Sequence, residues 1–441
     1  MILDNWLAQR AQTCPDRVAL IADGVELTYE ALESEATRTA RRLAARGVRR
    51  GASVAIARSA GVEYVTTIHA LMKLGAVLHP LNPRLAPSEL DRAIDQAAPA
   101  LVIEESDHAT MSEADLPLLG EHDLDAPHCR ILTSGTSGSP RPVALTYGNH
   151  LWSAVGSAFN LGVDPGDRWL CCLPLYHVAG LQIVMRSVIY GTGAVVQDGF
   201  DVDAVAESFE RDRVTLASLV TTQLVRLLEA GVDLSRPRAI LVGGGPVTID
   251  VLEEAIGRGA SVVQTYGLTE TASQVTTLAP QDARRKLGSA GRPLLTTHLR
   301  ITDGEICVQG PVVAPGCADE DGWLHTGDLG RIDDEGFLYV EDRLGDVIVS
   351  GGENVLPAEI EEVLLRHPDV ADAAAVGRAD AEWQEAVAAV VVLREGAATD
   401  AVALREHCAE SLARYKVPKR FDFVDELPRT PSGKLLRRAL R

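Results

Sequence analysis

Positive charge is in short supply in this sequence. Its 441 residues hold 42 Lys plus Arg against 62 Asp plus Glu, a formal net charge of −20. Recognition of a phosphate backbone needs a basic stripe and none stands out, which argues against a nucleic-acid partner; any nucleotide must be held by local chemistry. Lysine is rarer than arginine: Lys73, Lys286, Lys416, Lys419 and Lys434 are the whole set, so each can be weighed singly. Long apolar runs are missing as well. The longest, around Ala386 to Leu393, suits a buried strand and falls well short of the roughly 20 residues of a membrane span, so no membrane partner is expected. The opening MILDNWLAQRAQ lacks a basic segment followed by an apolar one, so no signal peptide is expected and a cytoplasmic location follows. Seven cysteines (Cys14, Cys129, Cys171, Cys172, Cys307, Cys317, Cys408) make no CxxC pair and no metal-like cluster with the eleven histidines, which favours reduced, mostly buried thiols. Two common nucleotide signatures are absent too. There is no GxGxxG, and the Gly433-Lys434 pair precedes Leu435 and has no upstream glycine to make it a GxxxxGK[ST] loop.

What is present is a chain 46% hydrophobic and 24% charged, enough apolar material for two or more domains. Residues 17–82 alternate strand, turn and helix: RVALIADG, a helix from Tyr29 to Arg46, SVAIA, a helix from Gly61 to Leu74, then AVLHPL. That alternation is the pattern of a parallel sheet with crossover helices. A second cycle runs through RWLCCLP, a helix near Gly180, GAVVQDG, a helix from Val202 to Arg211, TLASLV, a helix near Gln223, RAILVGGG, a helix from Val247, and SVVQTYG. Several strand ends carry glycine or polar residues, where open α/β sheets place ligands. From Gly288 to Val340 short strands and turns suggest a small barrel, and after Arg343 a compact α+β unit follows. The expected architecture is α/β: a large N-terminal domain, 1–344, with two α/β sheets and a distorted β-barrel, and a small mobile α+β C-terminal domain, 345–441.

The most informative stretch is Thr133-Ser134-Gly135-Thr136-Ser137-Gly138-Ser139-Pro140. Hydroxyls interleave with glycines, so backbone N–H groups and side chains can converge on phosphate oxygens; taken alone, the run reads equally well as a surface loop. Five further segments accompany it: PLYHVAG (174–180), YGLTET (266–271), HTGD (325–328), DRLGDVIVSGGEN (342–354) and PRTPSGKLLRR (428–438). In that order, over nearly the whole chain, they resemble the adenylate-forming superfamily of acyl-CoA synthetases, peptide-synthetase adenylation domains and luciferases.

The resemblance implies an ATP- and Mg²⁺-dependent acid:CoA ligase, with a small-molecule acid, ATP and coenzyme A as partners; a homo-oligomer is compatible with it. The loop Thr133 to Gly138 would hold the β- and γ-phosphates. Gly243, Gly244 and Gly245 would let backbone approach the adenine, Tyr266 and Gly267 would lie on its face, Thr269 would bond the α-phosphate, and Glu270 would hold Mg²⁺. Asp328 and Arg343 would contact the ribose. Lys434 would bridge the attacking carboxylate and the α-phosphate, two anions that need a cation between them. A rotation about Leu344 and Gly345 would then exchange Lys434 for the loop of Ser350, Gly351, Gly352 and Glu353, which lines the thiol tunnel in the family. The family's usual Asp or Lys is Gly345 here, and its usual Lys-Gly after the phosphate loop is Arg141-Pro142.

His177 falls at the family's gate between nucleotide and acid. Beyond it, LQIVMRSVIYG places Arg186 among apolar residues, where a guanidinium is costly unless a carboxylate of protein or substrate faces it. PLYHVAGLQIVMRSVIYG together with YGLTETASQ resembles the 2-succinylbenzoate:CoA ligases of menaquinone biosynthesis, whose substrate has two carboxylates. That resemblance implies Arg186, Thr271 and Ser273 as contacts to the carboxylate that is not activated. Ligation of another aryl or medium-chain acid, loading of a carrier protein, and a non-catalytic nucleotide-binding regulator stay open at this point.

Overall fold

The structure, a computed structural model, describes residues 1–85, 87–104, 112–133, 141–350, 353–380, 384–430 and 435–441. They form two compact units, one of Met1–Leu299 with Val308–Leu324 and one of Arg300–Cys307 with His325–Arg441.

Two large sheets carry the first unit. In the larger, nine strands lie in the order Arg292–Pro293, Thr276–Thr277, Val262–Tyr266, Ala239–Val242, Leu216–Leu219, Arg168–Cys171, Gly193–Val196, Val18–Ala22 and Val25–Thr28. The run from Val262–Tyr266 to Val18–Ala22 is parallel, and antiparallel pairings close both edges. Strands such as AILV and GAVV are buried at every residue, as a parallel strand covered on both faces must be. The helices Val202–Arg211, Thr221–Glu229 and Ile249–Gly257 lay Val205, Phe209, Leu224, Leu227, Leu228, Leu252 and Ala255 on the apolar side chains of Leu170, Ala217, Ile240 and Val262. Each such large aliphatic side chain stabilises the fold by about 1.5–3 kcal/mol relative to leaving it in water.

The second sheet orders Leu101–Glu104, Ser53–Ala57, Val77–Pro80, Pro127–Thr133 and Arg141–Thr146. Its first four strands are parallel, and the last folds back antiparallel on Pro127–Thr133, so that Thr133 lies opposite Arg141. The segment 134–140 joins these two strands and lies outside the described residues, together with the expected phosphate contacts Ser134, Gly135, Thr136, Ser137 and Gly138.

One long helix of this unit escapes the sequence reading. Tyr147–Leu161 starts with a reciprocal cap: the Asn149 N–H donates to Thr146 Oγ1 at 3.1 Å and the Thr146 N–H to Asn149 Oδ1 at 2.9 Å. Asn149 Nδ2 then donates to the carbonyls of Pro311 and Val313, at 2.9 and 3.1 Å, tying the helix start to the returning segment. Against this helix packs Val178–Tyr190, buried along almost its whole length and ended by Gly191 in the left-handed region at φ 75°.

The second unit opens on a four-stranded sheet in the order His298–Thr302, Glu305–Gln309, Leu324–Ile332 and Leu338–Arg343, in the stretch where a barrel is expected. Its remainder is a five-stranded sheet in which Gln384–Leu393 pairs with Val370–Asp380, Ile348–Ser350 and Arg420–Phe423. Helices Pro357–Leu365 and Ala401–Ser411 cover it, with Ile360, Leu364, Leu404 and Cys408 sealing a core of its own. The turn Leu344–Asp346, where the sequence suggests a boundary, lies between the two sheets. Among the described residues no helix is long and apolar enough to cross a membrane.

Candidate active site

The strands Ala239–Val242 and Val262–Tyr266 end side by side, and both run into glycine. A Cβ on Gly243 would come within 2.9 Å of the Thr265 carbonyl oxygen, and Gly244 sits at φ 80°. Gly244 and Gly245 are exposed, and around Gly245 a Cβ would meet nothing within 4 Å, so a planar group has open access to this strand end. Gly267 is more constrained still. A Cβ there would lie 1.4 Å from the Ser273 carbonyl oxygen, because the chain leaves the strand, makes one 3-10 turn over Thr269–Thr271, and folds back on itself. Ala272 and Ser273 take φ of 49° and 91°, a strained pair for residues with side chains.

This turn presents three of the expected site residues. Tyr266, Thr269 and Glu270 are half-buried at the strand end. The Glu270 carbonyl accepts the Ala314 N–H at 2.7 Å, while its carboxylate charge, after burial, is the second cause that pushes the Cys317 thiol above its ordinary range. Thr271 is fully buried and spends its hydroxyl inside the turn, accepting the Leu268 N–H at 3.0 Å and donating toward the Leu268 carbonyl at 3.1 Å. Ser273 is half-buried, and its N–H donates to the Leu268 carbonyl at 3.0 Å.

Behind the turn lies Arg186, 2% exposed. Among the described residues no carboxylate pairs with it. Its Nη2 donates to Ser153 Oγ at 3.1 Å, its guanidinium lies 5.5 Å from the Trp169 ring centre, and its Nε has no partner among the described residues. Burial lowers its pKa to about 10, so it is cationic at neutral pH, in a setting where an unpaired charge costs several kcal/mol. Ser153 passes the contact on, donating to the Ala272 carbonyl at 2.8 Å, and Gln182 Nε2 donates to the same oxygen at 2.7 Å. A hydroxyl from one helix and an amide from a second thus converge on the carbonyl of Ala272, the strained residue two positions after Glu270, and the hydroxyl in turn carries the Arg186 guanidinium.

His177 opens the helix of Arg186. Burial lowers its pKa to about 4, and its Nε2 has no partner among the described residues, so a neutral imidazole with an uncommitted ring nitrogen stands at the helix start. Gly180 lets that helix begin against the preceding loop, since a Cβ there would come within 2.4 Å of the Pro174 carbonyl oxygen.

Asp328 and Arg343 belong to the second unit, where they face each other across paired strands and join through Arg343 Nε and Asp328 Oδ1 at 2.8 Å. Thr133 lies at its strand end, donating to the Arg141 carbonyl at 3.1 Å. Lys434, Gly351 and Gly352 lie outside the described residues. Ser153 and Gln182 are the contributors that sequence reasoning missed. Gln182 carried a signal: it is a polar residue four positions before Arg186, on one face of an otherwise apolar helix.

Cysteine and histidine show no metal-like spacing in the sequence, yet two groups of potential donors come together in the fold. His128, Cys129 and His150 converge, and so do Glu305, Cys307 and His325. In both groups two donors are close neighbours in sequence and the third lies roughly twenty residues further on, on a helix in the first group and on a paired strand in the second, which spacing rules do not detect.

Residues 7–317 match the AMP-binding enzyme model and residues 359–434 the AMP-binding enzyme C-terminal domain. The chain is 42% identical to a protein of Bacillus cereus (strain ATCC 14579) named 2-succinylbenzoate--CoA ligase, over 100% of this chain and 98% of that one. It is 43% identical to the protein of the same name from Geobacillus kaustophilus (strain HTA426), over 100% and 97%. Among solved structures it is similar to the o-succinylbenzoate CoA synthetase of Bacillus subtilis in complex with the acyl-adenylate intermediate OSB-AMP, with a TM-score of 0.94, 39% identity, and coverage of 100% and 98%. The complex of that enzyme with ATP and magnesium ion gives 0.93 and 39%, covering both chains in full.

Proposed function

The chain belongs to the AMP-binding enzyme family, and from that membership we propose that it is an acid:CoA ligase which activates 2-succinylbenzoate with ATP and delivers it to coenzyme A. A substrate carboxylate oxygen attacks the α-phosphorus of ATP, pyrophosphate leaves, and an acyl-adenylate results. The thiol of coenzyme A then attacks the acyl carbon, the thiol proton passes to solvent, and AMP leaves.

Arg186 carries the choice of acid. A buried cation with no carboxylate partner among the described residues is stabilised by an arriving anion, and 2-succinylbenzoate has a second carboxylate to offer. Arg186 serves that group directly or through water, with Ser273 on the adjoining turn, while Thr271, its hydroxyl committed to Leu268, acts on that group by holding the shape of the turn. His177, neutral and half-buried, stands between acid and nucleotide.

The glycines 243–245 and 267 with Tyr266 take the adenine, Thr269 the α-phosphate, Thr133 to Gly138 the outer phosphates, and Asp328 with Arg343 the ribose. Glu270, a hard oxygen donor at the strand end, fits Mg²⁺, which when bound neutralises phosphate charge. Lys434 supplies the movable cation for adenylation, and rotation of 345–441 against 1–344 about Leu344 and Gly345 brings the loop around Gly351 and Gly352 to the thiol step. The enzyme works in the cytoplasm on small molecules, without nucleic acid or membrane.

Exchange of labelled pyrophosphate into ATP tests the proposal over a panel of acids. Exchange driven by 2-succinylbenzoate, and at least tenfold weaker with benzoate or butyrate, is the expected result; exchange driven by a monoacid but not by 2-succinylbenzoate overturns the choice of substrate.

A further inference from the structure

We propose that Glu305, Cys307 and His325 form a zinc-binding site that acts on the strand segment Thr326-Gly327-Asp328. Glu305 and Cys307 stand two residues apart on one strand and so project from the same face, and His325 meets them from the neighbouring strand. His325 Nδ1 lies 2.8 Å from Glu305 Oε2 and 3.6 Å from Cys307 Sγ. Around a tetrahedral zinc ion, bond lengths of about 2.0–2.1 Å to N and O and 2.3 Å to S put N and O about 3.3 Å apart and N and S about 3.6 Å apart. The S···N separation already fits, the N···O pair has to open by roughly half an ångström, and all three donor atoms lie within 4.8 Å of one another.

The three donors also grade from open to closed. The His325 side chain is 46% exposed and that of Glu305 17%, while Cys307 is buried, so an ion enters at the imidazole and water completes the fourth position. The ion takes the Cys307 sulfur as thiolate, its proton going to solvent, and an unprotonated His325 Nδ1.

The remaining oxygen of Glu305 links the site to the neighbouring strand. Oε1 accepts the Gly327 N–H at 2.8 Å, Thr326 Oγ1 donates to the Ile306 carbonyl at 2.8 Å, and the Asp328 N–H donates to Thr326 Oγ1 at 3.1 Å. The strand that supplies two ligands thus also fixes the strand segment from which Asp328 meets Arg343. Zinc on Oε2 draws charge from the carboxylate and weakens its hold on Gly327. In the reading of Asp328 as the ribose contact, zinc lowers affinity for ATP. Metal binding itself does not depend on that reading.

Titration of the full-length, nucleotide-free protein with Co²⁺ alone tests the site. One equivalent giving a thiolate-to-cobalt absorption band and tetrahedral visible bands, both displaced by Zn²⁺, is expected. The band is lost in Cys307→Ser, and affinity falls on the order of tenfold or more in Glu305→Gln, which keeps the side chain's size and an acceptor for Gly327. No thiolate band, a band that survives Cys307→Ser, or one that vanishes in Cys129→Ser overturns the site. The second arm reads turnover with excess Mg–ATP: micromolar Zn²⁺ slows the wild type by raising the KM for ATP and leaves Glu305→Gln at least tenfold less sensitive. Equal sensitivity of the two refutes the coupling, and an inactive wild type with an intact cobalt signal counts against the proposed reaction alone.

Discussion

Arg186 brings a full positive charge into a place that water does not reach, held by one serine hydroxyl and the face of Trp169. Replacing it with glutamine should lower kcat/KM for 2-succinylbenzoate by about tenfold to a hundredfold, the worth of a hydrogen bond to a charged group. A steady-state comparison with a monoacid analogue checks the cause, because the same substitution should leave the analogue's already low kcat/KM nearly unchanged. Gly267 makes a sharper steric claim. An added methyl would fall inside the Ser273 carbonyl, so Gly267→Ala should displace the turn that carries Thr269 and Glu270 and abolish pyrophosphate exchange while the rest of the fold stays intact by circular dichroism. At this scale the sequence marked Tyr266 to Glu270 as one motif, and the structure sets Tyr266, Thr269 and Glu270 together at one strand end. The sequence was silent on Ser153 and Gln182, whose role depends on two helices and a turn meeting in space.

Among the elements, the parallel strands were legible because each is a short apolar run that ends in glycine or a polar residue, and the amphipathic helix Val202–Arg211 was legible to the residue. Tyr147–Leu161 was not, since Gly148, Gly156 and three serine or asparagine residues in its first eleven positions lower its local propensity. Tertiary burial and the Thr146 cap supply what propensity withholds. Thr146→Ala should therefore cost about 1 kcal/mol, read as a shift in the denaturant midpoint with an unchanged slope. The C-terminal arm shows another effect visible only in three dimensions. Arg437 bridges Glu361 at 2.6 Å and Asp346 at 3.3 Å, and Arg441 reaches the Gly345 carbonyl at 3.1 Å, so the segment that directly follows Lys434 is fastened to the turn proposed as the hinge. Arg437→Gln should slow adenylation more than thioester formation, as measured by following the two half-reactions separately. Gly345 itself has room for a side chain in this conformation, so its freedom matters only if the turn moves.

The molecule as a whole buries several imidazoles in neutral form. Burial lowers His69 to about 3 and His79, His122, His150 and His177 to about 4, against 6.5 when exposed. Below pH 6.5 the unfolded chain binds protons that the folded chain refuses, so stability is lost as pH falls from about 6.5 toward 4. His150 alone accounts for on the order of 3 kcal/mol once its folded pKa is passed. Thermal unfolding midpoints should accordingly fall steeply over that window and stay nearly flat from pH 7 to 8. A change of architecture was readable from the shorter strands after Gly288, although the compact units divide near Arg300 and His325 and not at Leu344; the meeting of His128, Cys129 and His150 was not readable, because they come from a strand and a separate helix.

Lys434, as proposed, is a cation that serves one chemical step and not the next. Lys434→Ala, assayed in single turnovers, should lose acyl-adenylate formation by a hundredfold or more while converting supplied 2-succinylbenzoyl-adenylate and coenzyme A to thioester within a few-fold of the wild-type rate. Equal loss of both steps would contradict it.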